Sequence, residues 1–250
     1  IAAKLNGSPV DLSRALNEDC SVEWVSIDSP EGLDVLRHST AHLMAQAVQS
    51  LFPGTQVTIG PTIQDGFYYD FKRQPPFTPE EIAQIEQRME ELARANLKVT
   101  REEMSKAQAI EMFRRMGEDY KVSIIEGIDE DPVSLYRQGD WIDLCRGPHV
   151  PSTGKLKAFK ITGVAGAHWR GGGKNEMLQR LYGTSWPTKQ ALKEYLRLVE
   201  EAKKRDHRKL GQELGLFMIS DAIGPGLPIW LPKGALLRSM LERYIVDLER

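Results

Sequence analysis

The stretch Leu36-Arg37-His38-Ser39-Thr40-Ala41-His42 places two histidines four residues apart. It lies inside a predicted helix: Ser29 supplies an N-cap, Pro30 suits the first helical position, and Pro53-Gly54 ends the pattern after about Phe52. Residues at i and i+4 share one face of a helix. We therefore expect the two imidazoles to lie on the same side, one turn apart.

A second pair with the same spacing occurs in Cys145-Arg146-Gly147-Pro148-His149. Here Gly147 and Pro148 argue against a helix, and residues 141–145 alternate like a strand. We expect the strand to end at Cys145 and a tight turn to fold His149 back beside it. The two pairs are then predicted to converge on one site.

The four groups leave the chemistry of that site open. Imidazole and thiolate are the ligands that zinc prefers, but four such ligands close its shell and make the site structural. The same groups suit metal-free hydrolysis, because histidine exchanges protons near neutral pH. The HExxH motif of metallopeptidases is absent, since position 39 is serine. The remaining alternative is four unrelated core or surface residues.

Composition and pattern predict an α+β fold with a mixed or antiparallel sheet packed with helices. The 250 residues, 41% hydrophobic, suit one to two domains. No apolar run is long enough to cross a membrane. Two cysteines are too few for a disulfide scaffold and favour a reducing, cytoplasmic setting.

Other predicted elements are helices over 79–96, 105–117 and 188–214, a β-rich start over 1–28, strands over 56–60, 65–71 and 98–102, a hairpin over 135–145, and β-structure with glycine turns, including Gly171-Gly172-Gly173, over 155–186.

Several motifs together resemble the editing domain of the bacterial-type threonyl-tRNA synthetase family. The matching runs are 36–42, Ile59-Gly60-Pro61, Gly66-Phe67-Tyr68-Tyr69-Asp70, Tyr120-Lys121, 143–149, Trp169-Arg170-Gly171 and 177–184. The resemblance divides the chain into four parts. They are the end of an N-terminal β-grasp (TGS-like) domain (1–28), the editing domain (29–186), a linker helix (187–214) and the start of a truncated class II catalytic domain (215–250).

The chain starts at Ile1 without Met and stops inside a predicted amphipathic helix over residues 234–250. From this we expect a fragment of a longer protein. The motifs that bind ATP in a class II domain do not occur in these 250 residues. Aminoacylation is therefore not expected from the fragment. The resemblance implies that the full-length enzyme charges tRNA(Thr) with threonine, using ATP, magnesium and zinc in its catalytic domain.

For the fragment itself, the resemblance implies hydrolysis of mischarged seryl-tRNA(Thr) at the aminoacyl ester. Serine is threonine without one methyl group, and a pocket separates such pairs by only about 1–3 kcal/mol. A second site that admits serine and excludes threonine would remove the error. The catalytic residues carried over are His38, His42, Lys121, Asp143, Cys145 and His149, and the substrate-binding residues are Gly60, Tyr69, Trp169 and Arg170.

The resemblance favours a metal-free editing site that needs no cofactor, with zinc on His38, His42, Cys145 and His149 as the other possibility. The expected partners are tRNA(Thr) and seryl-tRNA(Thr), with no membrane and with a homodimer for the full-length enzyme. Two other functions stay open. One is a non-catalytic tRNA-docking module with a structural zinc site, and the other is an alanyl-type trans-editing deacylase.

The net charge of −2 is an average over a polarised chain. Residues 155–209 hold 14 Lys or Arg and 5 Asp or Glu, a local charge of +9. Positive charge gathered in one segment attracts nucleic-acid phosphates. The predicted tRNA-binding residues in the charged helix are Lys203, Lys204, Arg205, Arg208 and Lys209. The alternative is an ordinary solvated helix face.

Overall fold

The computed structural model describes residues 1–172, 175–224 and 226–250, so Gly173 of the glycine run lies outside the described residues. Helices are α1 (Pro30–Leu51), α2 (Pro79–Arg94), α3 (Lys106–Met116), α4 (Asp119–Glu126), α5 (Lys189–Lys204), α6 (His207–Glu213) and α7 (Pro232–Leu248). Strands are β1 (Ala2–Leu5), β2 (Ser8–Val10), β3 (Val22–Val25), β4 (Gln56–Val57), β5 (Thr62–Ile63), β6 (Gly66–Lys72), β7 (Val99–Met104), β8 (Val133–Gln138), β9 (Trp141–Leu144), β10 (Phe159–His168), β11 (Met177–Ser185), β12 (Phe217–Ile219) and β13 (Pro228–Trp230). The α+β prediction is confirmed.

The strands form antiparallel sheets throughout the described residues. The orders are β2-β1-β3, β10-β11-β6-β4 with β5 paired to β6, β7-β8-β9, and β12-β13. Contacts divide the chain into two compact units, Ile1–Leu192 and Lys193–Arg250. No helix among the described residues is long and apolar enough to cross a membrane.

Helix α1 is the central element of the first unit. The Ser29 hydroxyl accepts a hydrogen bond from the Gly32 amide at 3.0 Å, and Pro30 occupies the first turn, as predicted. The helix packs on α2, β6 and β11 around one apolar core. That core includes Leu36, Leu43, Met44, Phe67, Phe71, Ile85, Met89 and Leu181, all fully buried. The motif helix is thereby fixed in place along most of its length.

A second apolar cluster holds α3 and α4 against β8 and β9. Its buried members include Ala109, Phe113, Ile125, Val133 and Leu135. Residues 119–133, for which the sequence predicts no element, contain the two-turn helix α4. The motif helix α1 belongs to the first core, whereas α4 and β9 belong to the second. The predicted site residues come from all three of these elements.

The predicted single helix over residues 187–214 is wrong. The structure has two helices, α5 and α6, interrupted at Arg205 and Asp206. The Asp206 side chain accepts a hydrogen bond from the Arg208 amide at 2.8 Å and so caps a new helix. Aspartate competes for backbone donors in this way, which ends one helix and starts the next. The charge pattern alone concealed that break.

Candidate functional site

Helix α1 presents both of its histidines to one side, as the spacing predicts. The imidazole centroids of His38 and His42 lie 5.2 Å apart with their rings nearly perpendicular. His42 is buried, with 3% of its surface exposed, whereas His38 is half-buried. The pair therefore runs from a solvent-facing edge into the interior of the protein.

The segment after β9 turns back on itself and brings His149 beside Cys145. Gly147 adopts a left-handed backbone with φ of +74°, which favours glycine. An added Cβ at Gly147 would lie 1.8 Å from the Tyr136 hydroxyl oxygen, so the position also lacks room for a side chain. Nε2 of His149 lies 3.2 Å from the Cys145 sulfur. The predicted tight turn is confirmed.

The two pairs converge on one site. Nε2 of His38 also lies 3.2 Å from the Cys145 sulfur, across 107 residues of sequence. One nitrogen of each histidine and the sulfur all lie within 4.8 Å of one another. The prediction of convergence is confirmed, and the alternative of four unrelated residues is wrong.

Burial disfavours the charged forms of all four groups. Desolvation lowers the pKa of His38, and it lowers the pKa of His42 and His149 well below the ordinary histidine value. The neighbouring imidazoles lower the pKa of His42 further. Desolvation also raises the pKa of the Cys145 thiol to about 12. In the metal-free site, neutral imidazoles therefore face a protonated thiol, and Cys145 is a poor nucleophile.

Beside this cluster lies a buried ion pair. Nζ of Lys121, on α4, is 2.6 Å from Oδ1 of Asp143 on β9, and both side chains are almost fully buried. The Tyr69 hydroxyl, on β6, donates to Oδ2 of Asp143 at 2.6 Å, and Lys121 donates to the same hydroxyl at 3.0 Å. Two of the predicted catalytic residues and one predicted substrate residue thus form a single hydrogen-bonded triad.

The ion pair meets the histidines at His42. Nδ1 of His42 lies 3.8 Å from Oδ2 of Asp143 and has no hydrogen-bond partner among the described residues. An unpaired buried nitrogen costs free energy unless something binds it. The edge between His42 and Asp143 is therefore a place where a hydrogen-bond donor from a ligand would be stabilised.

Gly60 lies against the face of Tyr69. An added Cβ at Gly60 would lie 2.2 Å from Cδ2 of that ring, so only glycine permits the close approach. The Tyr69 hydroxyl is fully engaged by Asp143 and Lys121, and the residue is 1% exposed. The Tyr69 hydroxyl proton is therefore already engaged by Asp143, and Gly60 makes room for the Tyr69 ring.

Trp169 and Arg170 contact half-buried residues of α4. The Trp169 ring contacts Tyr120 edge-to-face at 4.9 Å. The Arg170 guanidinium donates to the carbonyl and hydroxyl oxygens of Ser123, both at 3.2 Å. Trp169 and Arg170, which follow β10, thereby contact the helix that carries Lys121. Among the described residues, neither of the two forms a hydrogen bond or ring contact with the histidines of the cluster.

The five predicted tRNA-binding residues lie in the second unit and are exposed, with Lys203 and Lys204 at the end of α5, Arg208 and Lys209 in α6, and Arg205 between them. Each of them has an acidic side chain within 4.0 Å. Such exposed pairs contribute little to stability. Three of their acidic partners, Glu200, Glu201 and Asp206, are already included in the local charge of +9, so the segment keeps its excess of positive charge.

Sequence reasoning missed two sets of residues that hold the site together. The first is Asp11, from the segment after β2, which accepts from the His149 amide at 2.8 Å and from the Tyr136 hydroxyl at 2.6 Å. An aspartate near a β-turn gives no sequence signal for a contact 138 residues away. The His149 ring packs 4.4 Å from the Tyr136 ring. These contacts fix the loop that carries the second pair.

The second missed set is a buried network around Glu118, the residue before α4. Its carboxylate accepts from the Val57 amide at 3.0 Å and from the Gln49 amide group. The Gln49 oxygen in turn accepts from the Trp141 indole at 2.6 Å. Desolvation raises the pKa of Glu118. The network ties α1, α4 and β9 together, which are the elements that carry the histidines, Lys121 and Asp143.

The four-residue cluster also fits a zinc ion. Around tetrahedral zinc, with bonds of about 2.0–2.3 Å, ligand atoms lie roughly 3.3–3.8 Å apart, close to the 3.2 Å sulfur–nitrogen distances here. The donor types are those of a structural zinc site, and the four donor atoms all lie within 4.8 Å of one another. The residues that would hold the ion are His38, His42, Cys145 and His149.

Comparisons with known proteins agree with the geometry. Residues 133–182, which contain β9 and the second pair, match a family model described as the threonyl and alanyl tRNA synthetase second additional domain. The chain is 57% identical to threonine–tRNA ligase of Geobacter sp. (strain M21) over 244 residues. It is 58% identical to that of Marinobacter nauticus and 56% identical to that of Legionella pneumophila (strain Corby), over 246 residues each.

These matches cover 98% of the chain but only 38% of the length of each relative. The aligned region therefore includes the β-rich start, the site and the second unit. Over the part of those relatives that it spans, the chain belongs to the threonyl-tRNA synthetase family.

Proposed function

We propose that residues 29–186 form a proofreading domain that hydrolyses seryl-tRNA(Thr) at the ester between serine and the terminal ribose. The observation that carries the proposal is the convergence of three neutral imidazoles and a thiol beside the buried Lys121–Asp143 pair. Neutral imidazoles near water accept protons, and a buried lysine provides positive charge in a medium of low dielectric constant. Ester hydrolysis uses a proton acceptor for the attacking water and positive charge to stabilise the oxyanion.

In the proposed reaction, water attacks the ester carbonyl carbon and gives its proton to His38, the half-buried member of the α1 pair. Lys121 stabilises the negative charge that develops on the carbonyl oxygen. The carbon–oxygen bond to the ribose then breaks, and the ribose oxygen takes a proton. The products are serine and uncharged tRNA, so atoms and charge balance.

The ammonium group of the serine moiety is proposed to bind at the edge between His42 and Asp143. There it would donate to the unpaired Nδ1 of His42 and to Oδ2 of Asp143, which are 3.8 Å apart. Cys145 and His149 would form the wall beside it. We propose that the extra methyl group of threonine clashes in this enclosed space, so that the correct ester is spared.

The whole protein is proposed to charge tRNA(Thr) with threonine, on the strength of the name that its relatives carry, threonine–tRNA ligase. We propose that ATP, magnesium and zinc serve that reaction in the part of the relatives that this chain does not span, and that the full-length enzyme is a homodimer. The basic residues over 203–209 are proposed to contact tRNA(Thr).

A second candidate is a non-catalytic tRNA-docking module with structural zinc, which the compact donor set favours. Zinc bound to all four groups would stabilise the fold and leave no position for an activated water. Metal analysis of the purified protein tests this directly. One equivalent of tightly held zinc, together with no hydrolysis of seryl-tRNA, would establish the second candidate.

The experiment that tests the editing proposal follows the release of serine from preformed seryl-tRNA(Thr). His38→Ala should lower the rate by at least about 100-fold, the usual effect of losing a proton-transfer group. His207→Ala is the matched control, because His207 is exposed on α6. An unchanged rate in His38→Ala would remove the assigned role of His38.

A further inference from the structure

Ser39 lies between the two histidines of α1 and is fully buried. Its hydroxyl oxygen has three neighbours, which are the Val35 carbonyl oxygen at 2.7 Å, the Val150 amide nitrogen at 3.0 Å and Nδ1 of His149 at 3.1 Å. These three contacts determine where the protons of the site lie.

A serine hydroxyl has one proton to donate and two lone pairs to accept with. The shortest contact, to the Val35 carbonyl, takes that proton, because a carbonyl oxygen can only accept. The Val150 amide can only donate. Nδ1 of His149 must therefore also donate to Ser39, and Nε2 of the neutral ring is left with a lone pair.

The same count continues through Cys145. The bare Nε2 of His149 can only accept, so the Cys145 sulfur 3.2 Å away carries a proton and donates it to that nitrogen. The Gly147 amide donates to the sulfur at 3.3 Å. Nε2 of His38, also 3.2 Å from the sulfur, then brings a proton of its own, since the thiol proton is already used. Neutral His38 keeps its free lone pair on Nδ1.

We propose that Ser39 is a positioning residue that sets the direction of this hydrogen-bond chain and thereby leaves Nδ1 of His38 as the proton acceptor of the site. The chain runs from His38 through Cys145 and His149 to Ser39, and it ends on the Val35 carbonyl. The role of Ser39 in catalysis rests on the proposed function, whereas the proton positions follow from the hydrogen-bond geometry alone.

In the proposed hydrolysis, Nδ1 of His38 takes the proton of the attacking water as the oxygen bonds to the ester carbon. The resulting imidazolium still donates from Nε2 to the sulfur, so the chain stays intact. The same Nδ1 then returns the proton to the ribose oxygen as the carbon–oxygen bond breaks. A ring with the opposite tautomer would present a proton to water and could not accept one.

The test locates the imidazole protons by nitrogen NMR on protein labelled with ¹⁵N-histidine. Wild-type spectra should show a proton on Nδ1 of His149 and on Nε2 of His38. Ser39→Ala should shift the His149 proton towards Nε2. Cys145→Ala should release His38 while His149 keeps its proton on Nδ1, because the Ser39 contact remains.

Thr40→Val is the matched control. Thr40 is the next residue on α1, equally buried, and its hydroxyl lies 2.7 Å from the Leu36 carbonyl, as Ser39 does from Val35. Its other contact is Ser185 at 2.9 Å. The control should leave both tautomers unchanged. A wild-type proton on Nε2 of His149 or Nδ1 of His38, or identical spectra in Ser39→Ala, would overturn the inference.

The rate of seryl-tRNA hydrolysis provides a second readout. Ser39→Ala should lower kcat about tenfold or more and leave KM within about twofold, because the serine does not face the substrate. Wild-type protein without hydrolytic activity would refute the proposed function and leave the NMR result standing. Active wild-type protein with an unchanged kcat in Ser39→Ala would refute the role of Ser39 in catalysis alone.

Discussion

Replacing Asp143 with asparagine should destabilise the first unit by about 3–5 kcal/mol, the usual cost of leaving one partner of a buried ion pair alone. Asp143 is 0% exposed and Lys121 is 2% exposed, so solvent cannot screen the orphaned ammonium. The change also weakens the contact of the Tyr69 hydroxyl with Oδ2. The aspartate is therefore expected to stabilise the fold as well as to bind substrate.

The assay is thermal unfolding. For a unit of this size, 1 kcal/mol corresponds to about 2–4 °C, so the transition should fall by roughly 6–20 °C. Asp140→Asn is the matched control, because Asp140 is exposed in the turn just before β9. It should shift the free energy of unfolding by no more than about 0.5 kcal/mol.

The double variant Lys121→Met with Asp143→Asn separates the ion pair from simple packing. With both charges gone, it should be more stable than the sum of the single variants by about 2 kcal/mol or more. An Asp143→Asn transition within about 2 °C of wild type would refute the reasoning. Strict additivity of the two changes would refute it as well.

Other consequences follow from burial and close packing. Burial lowers the pKa of His42 and His149, so only the unfolded chain takes up protons at these residues as the pH falls below about 6.5. The free energy of unfolding, measured by urea denaturation, should therefore fall by about 2–3 kcal/mol between pH 7.5 and 5.5. A flat profile would contradict this. Gly147→Ala should lower the free energy of unfolding by about 1–3 kcal/mol, because the new Cβ would overlap the Tyr136 hydroxyl. An unchanged urea midpoint would show that the loop around Gly147 can move to accommodate a side chain. Glu118→Ala should cost about 2–4 kcal/mol in the same assay, because two donors lose their acceptor, and a loss under about 1 kcal/mol would count against the network.

Local patterns allowed the elements that carry the site to be predicted well. The Ser29-Pro30 start, the four-residue histidine spacing and Gly147-Pro148 each act through neighbours in sequence, and all three features appear as expected. The broken linker helix is the local failure, because the capping tendency of Asp206 opposed a continuous charge pattern. Propensity over a window does not reveal a single competing side chain.

The supporting residues could not be predicted, because their contacts are long-range. Asp11 reaches His149 across 138 residues, and Gln49 reaches Glu118 across 69. Nothing in a stretch of sequence marks such pairs. The resemblance implies Trp169 and Arg170 as substrate-binding residues, whereas the structure shows them in contact with α4. The convergence of the two pairs could be predicted because helix and turn geometry set the direction of these side chains locally. The residues that hold the site together are brought near it only by the packing of the whole fold.

The most direct test of the account compares two substrates on the same protein. Seryl-tRNA(Thr) and threonyl-tRNA(Thr) are incubated separately with the protein, and the initial rates of amino-acid release are measured together with zinc content. The account predicts fast release of serine and release of threonine at least about tenfold slower, a difference of about 1.4 kcal/mol. Equal rates on both esters, or no release from either, would contradict it.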